Sequence, residues 1–136
     1  IRKTHGVDCE AWAVFDKDSF PNQDFDNAIH RGIAIDVNCA YSNEAFELWY
    51  ILHFAFHQNA TSRNDYKGLL TNYLKRKYQK NDSNMYYLLL KMGNQVNAIK
   101  FAKKLQEIHS SNTPSNSNPC TTVFRLVEEL NKFITE

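Results

Sequence analysis

The stretch that decides the fold is "AWAVFDKDSFPNQDFDNAIHRGIAIDVNCAY", residues 11–41. Its first five residues form a continuous apolar run without alternation, which is typical of a strand buried on both faces of a parallel sheet. Residues 21–33 combine helical apolar spacing with acids in the first turn and basic residues in the last, and Gly32 is placed to cap the end. Residues 33–41 then predict a second strand. The stretch therefore predicts a βαβ unit with a right-handed crossover.

The rest of the chain is predicted to be largely helical. The polar segment 110–119, "SSNTPSNSNP", predicts a surface loop rather than a linker, because only one helix follows it. Ser42 is placed as the N-cap of the first helix after the βαβ unit. We therefore expect one α/β domain over residues 1–136, with a small parallel sheet. Apolar stripes predict its further helices over residues 42–57, 65–79, 83–92, 94–109 and 121–135.

The composition is that of a folded globular domain, with 43% hydrophobic and 13% aromatic residues among 136. No apolar stretch approaches the roughly 20 residues of a membrane span. Cys9, Cys39 and Cys120 lack the C-x-x-C spacing of a zinc site, and their odd number argues against a disulfide framework. We therefore expect a cytoplasmic protein with free thiols and no membrane partner. Because the chain begins at Ile1 without a signal pattern, we also expect a piece of a longer protein.

The net charge of +1 hides a division along the chain. Residues 1–57 carry four basic and nine acidic residues, a net charge of −5, whereas residues 58–107 carry ten basic and three acidic residues, a net charge of +7. An acidic region beside a basic one suits a metal-dependent enzyme that acts on phosphate, because carboxylates bind the cation and lysines bind the polyanion. Solvated helix faces of mixed sign are the alternative explanation.

Asp16 and Asp18 follow the first predicted strand, at the end where parallel sheets place ligands. In extended backbone both side chains project to one side, where they could share a hard cation such as Mg²⁺. The alternative is a turn in which Asp16 closes an Asx-turn and Asp18 is solvated. Glu47 lies one position off an apolar helix face, so it is either a surface acid or a carboxylate aimed at the sheet end. Periodicity leaves both interpretations of Glu47 open.

His53 and His57 lie on one face of a predicted helix, at the spacing of a zinc-binding pair. No glutamate follows the first histidine, however, as the zinc protease pattern requires. His53 also falls on the apolar stripe, which favours a hydrogen-bonded core residue over a zinc ligand.

Basic residues cluster in residues 72–80 and return on a later predicted helix. Lysine and arginine neutralise phosphates, and Tyr73 and Tyr78 could stack on unpaired bases. Equally, the tyrosines could belong to the core and the basic side chains could be merely solvated. The candidate nucleic-acid contacts are Lys75, Arg76, Lys77, Lys80, Lys100, Lys103 and Lys104.

Three stretches together resemble the motifs of the RloB family, which includes AbiL-type proteins of phage abortive-infection and restriction operons. They are "AWAVFDKDSF" (11–20), "YSNEAFELWYILHF" (41–54) and "NPCTTVFRLVEEL" (118–130). The resemblance implies a TOPRIM-like fold, in which a glutamate after the first strand and a D-x-D after a later one organise Mg²⁺, or Mn²⁺ in its place, for phosphodiester chemistry. The operons of the family imply an ATPase partner.

The resemblance also assigns roles to residues of this sequence. The D-x-D falls on Asp16 and Asp18 as metal ligands, the further catalytic acid on Glu47, and the lysine after the basic helix on Lys80. Supporting positions fall on Asn43, Trp49 and His53.

This chain departs from the family pattern at two points. The opening Cys-Glu-Gly…Thr-Glu stretch of the family has no counterpart here, and Glu44 stands where the family tends to have proline. We therefore expect a domain without its first strand and glutamate motif, inactive by itself, whose open sheet edge favours a homodimer. Two functions are predicted for the whole protein: a Mg²⁺-dependent nuclease of phage defence, or a noncatalytic module of the same fold that binds nucleic acid or protein.

Overall fold

A computed structural model describes residues 9–134 of the chain. The strands are β1 (Trp12–Asp16), β2 (Asn38–Asn43) and β3 (Cys120–Thr121). The helices are α1 (Asn22–Ala34), α2 (Glu47–Ile51), α3 (Arg63–Leu74), α4 (Met85–Met92), α5 (Gln95–Ile108) and α6 (Val123–Asn131), and a 3-10 turn covers Pro114–Asn116. The described part is thus a mixed α/β structure with a small sheet and a largely helical remainder.

The sheet has the order β1-β2-β3. β1 and β2 are parallel, with Trp12 opposite Asn38 and Asp16 opposite Ser42. Helix α1 connects them, so the βαβ unit predicted within residues 11–41 is confirmed. β3 is antiparallel to β2, however, and the prediction of a parallel sheet is correct for only one of the two strand pairs. The sequence did not predict β3, because Cys120 lies just before a predicted helix and Thr121 is the first residue of that helix.

β1 is less buried than its apolar sequence predicts. Phe15 packs on Phe25 of α1 with ring centroids 5.8 Å apart. Val14, on the opposite face of the strand, is 50% exposed. The prediction of burial on both faces is therefore wrong in the described structure, where a helix packs against one face of β1 and the other is partly open.

Helix α1 runs through Gly32 and ends at Ala34, so the predicted cap at Gly32 is wrong. A Cβ atom at this position would lie 2.5 Å from Sγ of Cys39 and 3.0 Å from the carbonyl oxygen of Val37. Glycine is needed here because the helix crosses very close to the start of β2. The second strand consequently begins at Asn38 rather than at residue 33.

The helix predicted over residues 42–57 is much shorter in the structure, where only α2 is regular. Ser42 belongs to β2, and its hydroxyl makes a 2.8 Å hydrogen bond with the hydroxyl of Thr121 on β3. It is therefore not a helix cap. A neighbouring strand that the sequence did not predict supplies its partner.

The core lies between the sheet and the helices, and the loop at residues 110–119 closes one side of it. Ser115 and Ser117 of this loop are buried. The backbone N–H and the hydroxyl of Ser115 both donate to the carboxylate of Asp26, at 2.9 and 2.7 Å. Residues 110–113 are exposed, as expected of a surface loop, and the loop is docked on α1 through Ser115. The fully buried apolar side chains include Leu48, Leu52, Tyr66, Leu70 and Leu105.

Two further predictions concern thiols and membranes. Cys39 and Cys120 carry free thiols, as expected. Among residues 9–134, no helix has the length and apolarity needed to cross a membrane.

Candidate functional site

Asp16 ends β1, and its carboxylate is directed into a cluster of charged side chains. Nη2 of Arg63 donates to Oδ2 of Asp16, whose side chain is 16% exposed. Burial raises the pKa of Asp16 above its ordinary value of 3.8, whereas a hydrogen bond from the Phe46 backbone and the charge of Arg63 act to lower this pKa. Asp16 is thus a partly desolvated carboxylate held by an opposite charge.

Asp18 reaches the same nitrogen of Arg63 from a turn, not from extended backbone. Its φ angle is 46°, in the left-handed region, and its N–H donates to the carbonyl oxygen of Glu44 at 2.9 Å. Its Oδ1 lies 3.2 Å from Nη2 of Arg63. The two aspartates therefore converge on Arg63, but Asp18 does so from a turn, which was the alternative to the extended backbone that the D-x-D spacing left open.

Glu47 is the first residue of α2, and at 2% exposure it is not the surface acid that periodicity left open. Its Oε1 lies 3.4 Å from Nε of Arg63, and its Oε2 accepts a 2.9 Å hydrogen bond from the hydroxyl of Tyr78. Burial first, and then the charge of Glu47, raise the pKa of Tyr78 above its ordinary value of 10.0. The tyrosine therefore stays protonated and serves as a donor to Glu47.

Arg63 joins the three carboxylates, and sequence reasoning missed it. It is the first residue of α3, after Ser62, whose hydroxyl caps the helix by accepting from the N–H of Asp65 at 3.2 Å. A cation in the first turn of a helix is repelled by the partial positive charge of the free N–H groups there. An arginine directly after an N-cap was therefore the available signal that an anion lies nearby. We call Asp16, Asp18, Glu47 and Arg63 the strand-end cluster.

The strand-end cluster opens into a cleft of about 330 Å³. Lys80 lines this cleft together with Asp16, Asp18 and Arg63, so the structure brings the predicted lysine to the predicted acids. The apolar part of the lining comes from Val14, Phe15, Phe20 and Phe46. The cleft thus combines hard oxygen donors, two cationic side chains and an apolar wall.

The residues that the resemblance assigned to supporting positions make contacts outside the cluster. The amide group of Asn43 donates to the carbonyl oxygens of Pro114 and Ser115, at 3.1 and 3.0 Å, and so holds the docked loop. The ring of Trp49 meets that of His53 edge to face, with centroids 5.0 Å apart. These residues maintain the fold around the site.

The two histidines have separate partners. Nδ1 of His53 bonds the carbonyl oxygen of Trp49 at 2.8 Å, and the residue is buried, which confirms the prediction of a hydrogen-bonded core histidine. Burial lowers the pKa of His53 below its ordinary value of 6.5. His57 instead makes a 2.7 Å hydrogen bond from Nε2 to the hydroxyl of Thr61.

The basic residues at the end of α3 lie on the surface, while the tyrosines between them do not offer free rings. Tyr78 is 6% exposed and Tyr73 stacks on Phe54, with ring centroids 5.0 Å apart. Both tyrosines therefore pack against the core, as the core interpretation predicts, Tyr78 as a buried residue and Tyr73 as a partly buried one. The exposed members are Lys75, Arg76, Lys77 and Lys80.

Lys100, Lys103 and Lys104 of α5 are also exposed. Nζ of Lys103 pairs with Glu128 at 2.8 Å, and Nζ of Lys104 lies 4.7 Å from the centre of the Phe56 ring. Arg76 likewise pairs with Asp82, at 2.7 Å. Part of the predicted phosphate-binding charge is therefore already engaged. We call the exposed cations Lys75, Arg76, Lys77, Lys80, Lys100, Lys103 and Lys104 the basic surface.

Asp16, Asp18 and Glu47 have the chemistry of a site for a hard divalent cation, since carboxylate oxygens are its preferred ligands. Their arrangement is nevertheless centred on a guanidinium group. Within residues 9–134, no group of three or more His, Cys, Asp or Glu side chains is arranged to hold a metal ion. The three carboxylates thus fit such a cation by their chemistry but are not arranged around one, and all three contact Arg63 instead.

The model of one family, described as RloB-like protein, matches residues 3–130. No curated protein and no solved structure matches the chain. The family match covers nearly the whole sequence, including every residue of the strand-end cluster and of the basic surface.

Proposed function

The chain belongs to the RloB-like family, and on that premise we propose that it is a Mg²⁺-dependent nuclease that hydrolyses phosphodiester bonds. The observation that carries the proposal is the convergence of Asp16, Asp18 and Glu47 on a single point beside β1. Three carboxylates from two segments of the chain are costly to bring together unless cations offset their repulsion. Their single bridging cation, Arg63, leaves an excess of negative charge at this point.

We also propose that the fold is TOPRIM-like. The support is the parallel β1–α1–β2 unit, with Asp16 at the carboxyl end of β1 and Glu47 four residues after the end of β2. This is the edge at which α/β sheets bind their ligands.

Asp16, Asp18 and Glu47 would hold Mg²⁺, or Mn²⁺ in its place. When bound, the ion would polarise the phosphate and favour ionisation of a water molecule. Lys80 lines the same cleft and attracts a phosphate group toward the acids. Tyr78 fixes Glu47 by donating to its Oε2, so the carboxylate keeps one orientation.

The basic surface extends the proposal to a polyanionic substrate, DNA or RNA. Lys75, Lys77 and Lys100 are exposed cations that can neutralise phosphates along a strand. Tyr78 is buried and Tyr73 is stacked on Phe54, which favours contacts to the backbone of the nucleic acid over contacts to its bases. We therefore propose binding with little sequence preference and strong salt dependence.

From the family resemblance we further propose that the protein acts in phage defence in the cytoplasm, beside an ATPase. β1 pairs with one strand only within the described residues, and this open edge supports a proposed homodimer by strand pairing.

A second candidate is a noncatalytic module that binds nucleic acid or protein. The observation that favours it is the position of Arg63, whose guanidinium already neutralises part of the cluster without a metal ion. In that case the cleft recognises rather than cleaves, and the carboxylates hold the fold.

A cleavage assay on the full-length protein separates the two functions. RNA, single-stranded DNA and duplex DNA are incubated with Mg²⁺ or Mn²⁺, with and without the ATPase of the operon. We expect cleavage that is lost in Asp16→Asn and retained in Asp24→Asn. Asp24 is a matched control, because it is an exposed acid in the first turn of α1, outside the cleft.

Two outcomes of this assay would contradict the proposed nuclease site. Cleavage that persists in both Asp16→Asn and Asp18→Asn would place the chemistry elsewhere in the molecule. Nucleic-acid binding without cleavage under any of these conditions would favour the binding module.

A further inference from the structure

One guanidinium serves three carboxylates in the strand-end cluster. Nη2 of Arg63 donates to Oδ2 of Asp16 and lies 3.2 Å from Oδ1 of Asp18, so a single nitrogen is shared by two acids. Nε faces Oε1 of Glu47 at 3.4 Å. The guanidinium thus contacts all three of the carboxylates that would hold a metal ion.

Arg63 satisfies these carboxylates imperfectly. Oε1 of Glu47 and Nε of Arg63 are both buried, and neither has a hydrogen-bond partner, because their geometry does not meet that of a hydrogen bond. A planar guanidinium has five N–H donors in fixed directions, and here the Nε donor is not aligned with Oε1 of Glu47. The buried Oε1 of Glu47 therefore points into the cluster with its bonding capacity unused, and a spherical cation could use it.

The position of Arg63 in the chain makes its displacement feasible. Arg63 is the first residue of α3, and the partial positive charge at the N-terminus of a helix repels its guanidinium group. Its side chain is 24% exposed and lines the cleft, so it has a path into solvent. The Ser62 cap holds the start of the helix independently of the guanidinium.

The charge balance favours an additional or stronger cation. Asp16, Asp18 and Glu47 bring three negative charges and Arg63 one positive charge, with Lys80 as a further cation on the cleft wall. Mg²⁺ concentrates two charges on a small ion and binds carboxylates as hard ligands.

We propose that Arg63 is the exchangeable resident cation of the strand-end cluster, and that it competes with Mg²⁺ for the same three carboxylates. The inference rests on the proposed function, since it presumes that Mg²⁺ binds here. Arg63 then sets the metal concentration at which the site fills. In the absence of metal it keeps the acids neutralised and the fold intact.

The test measures Mn²⁺ binding to the full-length protein by the electron paramagnetic resonance signal of free Mn²⁺. Removing a positive charge a few ångströms from the bound ion should tighten binding in Arg63→Gln by at least about tenfold. Arg63→Lys should fall between this variant and the wild type. Arg31→Gln, which removes an exposed arginine from the last turn of α1, is the matched control and should bind as the wild type does.

A second measurement uses the wild type alone, in case Arg63→Gln does not fold. The Nε–Hε signal of Arg63 is followed by NMR during a Mg²⁺ titration. If Mg²⁺ displaces Arg63 from the carboxylates, this signal should shift at the same Mg²⁺ concentrations as the backbone signals of Asp16 and Asp18. A signal that stays fixed while those of the aspartates shift would overturn the exchange.

Failure of the inference is distinguishable from failure of the proposed function. Equal or weaker Mn²⁺ binding in Arg63→Gln, at a site that Asp16→Asn removes, would overturn the exchange and leave the metal site standing. Absence of any Mn²⁺ binding that depends on Asp16, in the wild type and in Arg63→Gln alike, would overturn both.

Discussion

The strand-end cluster and the basic surface are both rich in charged side chains, but those of the cluster are paired and partly buried, whereas those of the basic surface are exposed. In the cluster, Glu47 is 2% exposed, and each carboxylate has a partner brought from elsewhere in the sequence. On the basic surface, Lys75, Lys77 and Lys100 extend into water. Charges removed from water must be compensated by precise neighbours, whereas solvated charges are nearly independent of one another.

The two regions are nevertheless joined through one residue. Tyr78 lies within the segment that carries Lys75, Lys77 and Lys80, and its hydroxyl donates to Glu47. The basic segment is thereby held against the acidic one. The comparison predicts that changes in the cluster alter stability, whereas changes on the basic surface alter binding to a polyanion.

The largest expected effect is that of Arg63→Met, which leaves Glu47 buried without its counterion. We expect the free energy of unfolding to fall by about 3 kcal/mol, since removal of one partner of a buried ion pair exposes the other to an apolar environment. Urea denaturation at neutral pH measures this loss. The matched control is Arg31→Met on the surface of α1, for which a change within about 0.5 kcal/mol is expected.

A double variant sharpens this prediction. Glu47→Gln introduced together with Arg63→Met removes the uncompensated charge and should recover part of the lost stability. Equal free energies of unfolding in Arg63→Met and Arg31→Met would show that Arg63 contributes no more to stability than an exposed arginine does.

The next effect is that of Tyr78→Phe, which deletes the hydroxyl that donates to Glu47 at 2.9 Å. A buried hydrogen bond to a charged acceptor contributes about 2 kcal/mol, and we expect a loss of this size in the free energy of unfolding. Tyr86→Phe is the matched control, because Tyr86 is 65% exposed. A loss in Tyr78→Phe no greater than in Tyr86→Phe would show that the two regions are not coupled through this contact.

A third effect is a dependence of stability on pH. Burial lowers the pKa of His53 below 6.5, so the unfolded chain binds a proton more readily than the folded one. The contribution of neutral His53 to the free energy of unfolding is therefore complete above about pH 6.5. It is lost as the pH falls from there through the pKa of His53 in the folded protein. Thermal denaturation between pH 7 and pH 5 should show a shallower decline in His53→Gln than in the wild type. Parallel declines in the two proteins would assign the dependence to other groups.

The smallest effect on stability is expected on the basic surface. Replacement of Lys75, Lys77 and Lys100 by glutamine should leave the free energy of unfolding within about 0.5 kcal/mol of the wild type. Binding to single-stranded DNA should change instead. The slope of log K against log salt should become shallower by about 2, at about 0.7 for each lost phosphate contact.

The control for this triple variant removes an equal charge elsewhere, from Arg31, Arg125 and Lys132, which are also exposed. Its salt slope should stay close to that of the wild type. Equal slopes in the two triple variants would mean that net charge, and not the basic surface, governs binding.

Local patterns predicted a substantial part of this structure. The apolar run of β1, the amphipathic α1 and the strand that follows it were all legible, because each depends on neighbours within a few residues. The position of Asp16 at the end of a strand was also foreseeable, whereas Asp18 reaches the same guanidinium from a turn that the spacing left open. His53 was correctly placed in the core by its position on an apolar stripe.

Other features depended on contacts that are distant in sequence. β3 is only two residues long and is formed by pairing with the edge of β2. A strand this short has no periodic pattern that could predict it. Ser42 had the composition of a helix cap, but its partner, Thr121, is 79 positions away. Gly32 had the position of a helix cap, but glycine is required there because α1 passes too close to Cys39 for a Cβ atom.

The sequence by itself determined the α/β class, the βαβ unit, the division between acidic and basic regions, and the acids at the end of β1. Only the tertiary structure decided that Glu47 is buried, that Arg63 stands among the three carboxylates from 47 positions beyond Asp16, and that Tyr78 links the basic segment to them from 31 positions beyond Glu47. The physical reason is range. Helix and strand preferences act between residues a few positions apart, whereas a desolvated charge must find its partner wherever packing places one.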